Sequence, residues 1–248
     1  MIEYFGEFLG TMIMILLGNG VVANVNLDKT HSNGGGWIVI TFGWSMAVYV
    51  AVVVTGDMSG AHLNPAVTLG LAFSGLFDWV KVAPFILAQI SGAMAGASLV
   101  YIFFKNHFNI TETPRAKKAC FCTAPAIRNF GNNLFSEVVG TFVLILAVLL
   151  ISLPQLEYQS LGTAKVGMGS LGALPVSLVV LSIGLSLGGT TGYAINPARD
   201  LGPRIIHTLL PLKNKDNNDW QYAWIPVAGP VVGAGIAAGV YLLIKSMC

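Results

Sequence analysis

The chain has 248 residues, of which 54% are hydrophobic and only 10% are charged. Soluble globular domains have roughly 25% charged residues, so this composition excludes an ordinary soluble domain and favours a protein of the lipid bilayer. The formal net charge of +2 is too small to indicate a nucleic-acid or strongly acidic partner.

Six apolar runs of membrane-spanning length follow one another along the chain. A helix needs about 20 apolar residues to cross a hydrocarbon core about 30 Å thick. The first run has no basic leading segment and carries Glu7, so we expect a retained helix rather than a signal peptide. The predicted spans are approximately Tyr4–Ala23, Trp37–Thr55, Val82–Phe104, Leu134–Leu153, Leu171–Leu187 and Trp220–Ile244.

Two further apolar segments are too short to span a bilayer. They are Pro65–Phe73, which follows Asn64, and Pro197–Ile206, which follows Asn196. Asparagine is a favoured N-cap, and proline is favoured in the first turn of a helix, where its missing N–H needs no partner. We therefore predict two half-helices.

The chain repeats itself. The segment Glu7–Thr11 returns as Glu137–Thr141 at an offset of 130, and Asn64–Gly70 returns as Asn196–Gly202 at an offset of 132. Because each repeat holds three spans, an odd number, the second repeat must enter the membrane from the opposite side.

We predict a single domain over residues 1–248, with inverted repeats at approximately 1–110 and 130–248 joined by a connector. The half-helices then dip into the membrane from opposite faces. Non-helical backbone at membrane depth is tolerated where it lines a water-filled cavity, so the two turns predict a pore. Two facing helix N-termini, each with about half a positive charge, would repel cations and protons.

Two longer motifs, Ser59–Thr68 and Gly192–Arg199, resemble those of the aquaporin or major intrinsic protein family, and the resemblance covers essentially the whole chain. It implies an all-α membrane protein with six transmembrane helices and two re-entrant half-helices. It also implies a homotetramer with one pore per subunit, in the plasma membrane, with both termini cytoplasmic. The pore motifs would comprise Asn64, Pro65, Ala66, Asn196, Pro197 and Ala198.

The resemblance places Trp44, Gly184, Tyr193 and Arg199 at the narrowest constriction. Asp200 after Arg199, and Gly184 where water-selective members have histidine, are similar to the glycerol-conducting branch. The aromatic rings would offer an apolar face to a carbon chain, and the guanidinium would donate to hydroxyl oxygens.

Each of these polar residues also has a simpler interpretation. Asn64 and Asn196 are predicted both to cap the half-helices and to donate to the permeant molecule. Arg199 could be an interfacial cation, but an arginine at membrane depth is costly unless it faces a pore.

Glu7 and Glu137 could relay protons. We prefer that each accepts backbone N–H bonds from the irregular segment before its half-helix, as the resemblance implies, because buried backbone donors need partners. The segments so held would turn their carbonyls into the lumen as a ladder of acceptors, formed by Gly60, Ala61, His62, Gly192, Tyr193 and Ala194.

The predicted function is a passive channel for glycerol, related small neutral solutes and water that excludes protons and ions. A water-selective aquaporin is the main alternative, and a secondary transporter of small polyols also uses inverted repeats and broken helices. No Ser-His-Asp set, H-E-x-x-H or phosphate loop is present in the sequence, so an enzyme is not expected. No cofactor is expected.

A metal site is not expected either. Cys120, Cys122 and Cys248 lack the spacing of a zinc site, and His62 has no second ligand at suitable spacing. We interpret the three cysteines as structural or incidental.

The distribution of positive charges and the family resemblance predict opposite orientations of the chain in the membrane. With both termini cytoplasmic, the inner side would hold only Lys81, Lys165 and Lys245, and the other ten Lys and Arg would lie outside. The positive-inside rule favours the opposite orientation. We follow the resemblance, because much of the imbalance lies in one connector, Lys105 to Arg128. Asn109 there begins a glycosylation sequon, which matters only in a secretory-pathway host.

Overall fold

The computed structural model describes residues 1–152, 155–158, 162–165 and 167–247. Six helices within these residues are long and apolar enough to cross a bilayer, which confirms the predicted all-α membrane fold. The ten α-helices are α1 Ile2–Asn26, α2 Gly36–Ser59, α3 Pro65–Phe73, α4 Trp79–Phe103, α5 Lys105–Ile110, α6 Pro114–Ala119, α7 Phe130–Leu150, α8 Leu174–Ser186, α9 Pro197–Leu209 and α10 Ile225–Met247.

Some predicted helix boundaries differ from the observed ones, because local capping and turns set where the helix begins. Helix α7 begins four residues earlier than predicted, because Asn129 caps it and accepts a bond from the Asn132 N–H at 3.1 Å. Helix α10 begins at Ile225 rather than Trp220, because the preceding residues form turns in which the N–H of residue i bonds the carbonyl of i−3. The predicted span end at Leu153 lies outside the described residues, as does Cys248.

The fifth span is split. A 3-10 helix over Gly169–Ala173 precedes α8, and together they reach 18 residues. Between α7 and this 3-10 helix, Gln155–Tyr158 and Gly162–Lys165 pair as a short antiparallel hairpin, with Gln155 opposite Lys165. The hairpin is the one departure from helix among the described elements.

The packing pattern repeats between the two halves of the chain. Helix α1 packs against α2 and α4, and correspondingly α7 packs against α8 and α10. The half-helix α9 packs on α4, and the half-helix α3 packs on α10. Each half-helix therefore lies against a spanning helix of the other half.

Glycines set the closest helix crossings. A Cβ on Gly92 of α4 would lie 2.3 Å from the Phe8 carbonyl oxygen of α1, and a Cβ on Gly233 of α10 would lie 2.4 Å from the Val138 carbonyl oxygen of α7. Phe8 and Val138 are themselves 130 residues apart. Small residues let helix backbones approach closely where no hydrophobic effect drives helix association.

Three segments, residues 27–35, 104–129 and 210–224, gather on one side of the bundle, and we call them the cap. The Asp28 N–H donates to the Thr111 hydroxyl at 2.9 Å. Arg128 pairs with Asp219, and Lys117, which is 1% exposed, donates to the Lys213 carbonyl. The connector is thus tied to both of the other segments of the cap.

Candidate functional site

The two half-helices meet at their N-terminal tips. The Asn64 side-chain amide donates to the Ile195 carbonyl at 2.9 Å, and the Asn196 amide donates to the Leu63 carbonyl at 2.8 Å. Each asparagine therefore bonds the residue that immediately precedes the other asparagine. An amide nitrogen has two donor hydrogens, so each side chain keeps one for another acceptor.

Each asparagine also caps its own half-helix, as predicted. Asn64 Oδ1 accepts from the Ala66 N–H at 2.8 Å, and Asn196 Oδ1 accepts from the N–H groups of Ala198 and Arg199 at 3.0 and 3.2 Å. Because the oxygen is occupied by the cap, the amide nitrogen must point away from the helix. The other motif residues, Pro65, Ala66, Pro197 and Ala198, are buried behind the tips.

Glu7 holds the segment before the first half-helix. Its carboxylate accepts backbone N–H bonds from His62 at 2.9 Å and Leu63 at 2.7 Å, and also bonds the side chains of Ser59 and Gln89, both at 2.7 Å. The side chain is fully buried. Four donors around one buried carboxylate satisfy the groups that its burial would otherwise leave unpaired.

Glu137 holds the second segment in the equivalent way. It accepts from the N–H groups of Ala194 and Ile195 at 3.0 and 2.8 Å. This is the arrangement preferred from the sequence over a proton relay. In both glutamates, each of the two carboxylate oxygens accepts a hydrogen bond from a backbone N–H.

The held segments adopt a backbone conformation that side chains disfavour. Ala61 and Leu63 have φ of 48° and 51°, and their equivalents Tyr193 and Ile195 have φ of 37° and 43°. Each such residue costs on the order of 1–3 kcal/mol and persists only where its surroundings fix it. The bonds to Glu7 and Glu137 are what fix these turns.

Three predicted filter residues lie between two cavities, at a place that we call the constriction. The larger cavity, of about 270 Å³, reaches from the asparagine pair along the apolar walls of α2, α7 and α8, and the smaller, of about 160 Å³, opens toward the cap. Trp44, Tyr193 and Arg199 line both cavities. The Arg199 guanidinium carbon lies 4.3 Å from the centre of the Trp44 ring, within the range of a cation–π contact.

Gly184, expected at the constriction, lies against the Tyr193 ring. It lines neither cavity, because the Tyr193 ring covers it. A Cβ on Gly184 would lie 3.0 Å from Tyr193 Cζ and 2.9 Å from Thr41 Cγ2. The absent side chain therefore gives room to the tyrosine ring rather than leaving a bare wall in the passage.

The residues predicted to form the carbonyl ladder all line one or both cavities. The larger cavity is lined by Gly60, Ala61, His62 and Ala194, the smaller cavity is lined by Gly192, and both are lined by Tyr193. The His62 ring is within 3.1 Å of the Thr68 hydroxyl and packs against Phe77 and Phe85.

Sequence reasoning missed the residues that support the filter rings. The Trp37 indole donates to the Gly184 carbonyl at 2.9 Å and packs edge-on against Tyr193 at 5.8 Å. A Cβ on Gly188 would lie 2.4 Å from the Tyr193 ring, and one on Gly18 would lie 2.3 Å from the Trp44 ring. The only sequence signal was the presence of glycines within apolar runs, which does not say which side chain fills the space.

Asp200 lies outside the passage and joins α9 to the cap. It pairs with Arg204 at 2.7 Å, and it accepts from the N–H and the hydroxyl of Thr123 at 2.8 and 2.6 Å. Arg204 also donates to the carbonyls of Asn218 and Thr123 at 2.7 and 3.0 Å. The Asp200 and Arg204 side chains are at most 1% exposed.

Burial shifts the pKa values of several groups of the cap, including Cys122 and Lys117. Burial raises the pKa of the Cys122 thiol to about 12, so the thiol that lines the smaller cavity is neutral at pH 7. Burial lowers the pKa of the Lys117 ammonium. Cys120 and Cys122 are both free thiols.

Comparison with known proteins decides the family. A family model described as Major intrinsic protein matches residues 1–241. The chain belongs to the major intrinsic protein family. This confirms the resemblance found in the two asparagine motifs.

Among members of the family, the glycerol uptake facilitator protein of Streptococcus pneumoniae is 54% identical over 241 residues, covering 97% of this chain and 98% of that protein. The probable glycerol uptake facilitator protein of Thermotoga maritima is 51% identical, covering 96% and 97%. The solved structure of the aquaglyceroporin from Plasmodium falciparum matches with a TM-score of 0.82 at 32% identity, covering 96% of this chain and 94% of that one.

Proposed function

We propose that the chain is a passive membrane channel for glycerol, related small neutral solutes and water. The observation that carries the proposal is the pair of asparagines at the meeting half-helix tips, beside a cavity that continues to a three-residue constriction. The names of the relatives, glycerol uptake facilitator and aquaglyceroporin, support glycerol as a solute.

The constriction offers glycerol two kinds of contact. The Trp44 and Tyr193 rings present apolar surface to the carbon chain. The Arg199 side chain donates no hydrogen bond to any described residue, so its donors are free for the solute's hydroxyl oxygens. A site with an apolar wall opposite a donor suits an amphipathic polyol better than an ion.

The asparagine pair excludes protons and cations. A molecule at the tips accepts a hydrogen bond from the free amide hydrogen of Asn64 or Asn196, and this orients it so that a continuous proton chain is broken. The N-terminal ends of α3 and α9 both face this point, and their partial positive charges repel cations. The acceptors that pass a solute along would be the carbonyls of the segments before the asparagines.

The test is flux through purified protein in liposomes. Stopped-flow light scattering should show rapid shrinking and reswelling in a glycerol gradient, with no current and no collapse of an imposed pH gradient. Water flux without glycerol flux would identify a water-selective channel instead. Saturable, sodium-dependent accumulation of glycerol would identify a transporter.

The proposal extends to assembly and orientation. The two halves, approximately residues 1–110 and 130–248, would form inverted repeats of one domain, four copies of which would assemble as a homotetramer with one pore each in the plasma membrane. Many large apolar side chains of the spans are exposed in the single chain, which fits contact with lipid and with other subunits. Mass measurement in detergent tests the tetramer.

Both termini would be cytoplasmic. The cap would then lie outside, against the positive-inside rule. A cysteine introduced at Glu112, labelled in intact cells with a reagent that does not cross membranes, tests the orientation. Labelling from the cytoplasmic side alone would show that the orientation is the opposite of the proposed one.

A further inference from the structure

The smaller cavity, on the cap side of the constriction, has a basic lining. Arg115, Lys118 and Arg199 all contribute to its wall, together with the rings of Trp37 and Trp44. Among the described residues that line it, none is Asp or Glu. The space on the cap side of the constriction, about 160 Å³ in volume, therefore has three cations in its wall.

Two of these three cations form no ion pair within 4 Å among the described residues. Lys118 pairs with Asp216. Arg115 is exposed and forms no ion pair. Arg199 is 8% exposed, its Nη1 is buried without a hydrogen-bond partner among the described residues, and its guanidinium carbon lies 4.3 Å from the centre of the Trp44 ring.

The wider surroundings add to this positive charge. Beyond Arg115 and Lys118, the cap carries six Lys and Arg against four Asp and Glu, and two of its four carboxylates, Asp216 and Asp219, already pair with Lys118 and Arg128. A concave site lined by one sign of charge raises the local concentration of the opposite ion. Guanidinium groups present planar pairs of donors that match the oxygens of carboxylate and phosphate.

We infer that the cap-side cavity binds a small oxyanion, a phosphate or a carboxylate, between Arg115 and Arg199, and that the bound anion closes the passage to solutes. The anion would not be conducted, because the apolar rings of Trp44 and Tyr193 offer no replacement for its water shell. It would occupy the donors of Arg199 that glycerol needs. The channel would thereby be inhibited by small anions on the cap side.

Calorimetric titration of the purified full-length chain with inorganic phosphate tests the binding. The protein should be held in an alkyl maltoside, so that no lipid headgroup supplies the phosphate. We expect one saturable site per chain. Arg115→Gln should weaken binding about fivefold, the effect of one unit charge at about 4 Å in water, and Arg115→Lys should restore most of it.

The matched control is Lys105→Gln, which removes one positive charge from the same face at an exposed residue that does not line the cavity. Its dissociation constant for phosphate should equal that of the unaltered chain. Equal weakening by Lys105→Gln and Arg115→Gln would mean general surface attraction and would overturn the site, as would the absence of saturable heat.

A second measurement tests closure, and for this readout alone the inference rests on the proposed function. With phosphate on both sides of liposomes, glycerol and water flux should fall together, with a half-maximal concentration that matches the calorimetric constant. Saturable binding without any loss of flux would overturn the closure. A chain that conducts no glycerol even without phosphate would refute the proposed function and leave the binding result standing.

Discussion

The width of the constriction depends on where one aromatic ring rests. Tyr193 lies over Gly184, is held edge-on by Trp37, and has Gly188 behind it. The tyrosine hydroxyl is buried without a hydrogen-bond partner among the described residues. The ring therefore acts through its shape and its apolar surface, and the glycines determine how far it withdraws from the passage.

We predict that Gly184→His selectively lowers glycerol flux. An imidazole cannot fit between the backbone and Tyr193, since even a Cβ would lie 3.0 Å from the ring. The tyrosine must move into the passage, so we expect glycerol flux to fall more than about tenfold, which corresponds to a barrier increase of about 1.4 kcal/mol. Water, which is smaller, should keep much of its flux in stopped-flow measurements on the reconstituted variant.

Tyr193→Phe is the control for this prediction. It keeps the ring and removes a hydroxyl that has no partner among the residues the structure describes, so both fluxes should stay close to those of the unaltered chain. If Gly184→His lowered water and glycerol flux by the same factor, or lowered neither, the role given to the Tyr193 ring would be wrong.

At the scale of elements, the helices are brought together by glycines at their crossings. Gly233 of α10 faces the Val138 carbonyl of α7, while Gly235, two residues along the same helix, has no described atom of another element within 4 Å of the position of a Cβ. The two glycines lie in the same apolar stretch of α10 but have different surroundings. Substituting each glycine by alanine therefore distinguishes the effect of helix packing from the effect of helix propensity.

We predict that Gly233→Ala destabilises the chain strongly and that Gly235→Ala does not. A methyl group 2.4 Å from a carbonyl oxygen forces α7 and α10 apart, and overpacking of this kind typically costs about 1–3 kcal/mol or more. Gly235→Ala should be neutral or stabilising by up to about 1 kcal/mol, the difference in helix propensity. Thermal unfolding in detergent measures both, and similar melting temperatures for the two variants would contradict the assigned crossing.

At the scale of the whole molecule, a buried ion pair joins the second half-helix to the cap. Asp200 and Arg204 together bond Thr123 of the connector and the carbonyl of Asn218. Three distant segments of the chain thus converge on one pair of charges. From the sequence, Asp200 is interpreted as a supporting residue similar to the glycerol-conducting branch, and in the structure its contacts join α9 to the cap.

Asp200→Asn should therefore loosen the cap. Removing one partner of a buried pair leaves an uncompensated charge, which costs about 3–5 kcal/mol. We expect a lower melting temperature and faster proteolysis within residues 104–129. Asp216→Asn is the matched control, because its pair with Lys118 is partly exposed and such pairs contribute about 0–1 kcal/mol. Equal sensitivity of the two variants would show that the buried network does not hold the cap.

The sequence by itself determined the spans, the half-helices and their caps. These follow from local preferences: apolar runs of sufficient length favour spanning helices, and Asn followed by Pro favours a helix start. The repeat at offsets of 130 and 132 also identified Glu7 and Glu137 as equivalent residues. The backbone bonds that they accept were predicted, and the structure shows them.

The tertiary structure alone decided what surrounds each glycine and each charge. Gly184 and Gly233 look alike in the sequence, yet one makes room for a ring and the other for a neighbouring helix. Arg115 lies 84 residues from Arg199 in the chain, and only folding brings both to one cavity. Such contacts depend on which distant segments meet, and no local pattern encodes that.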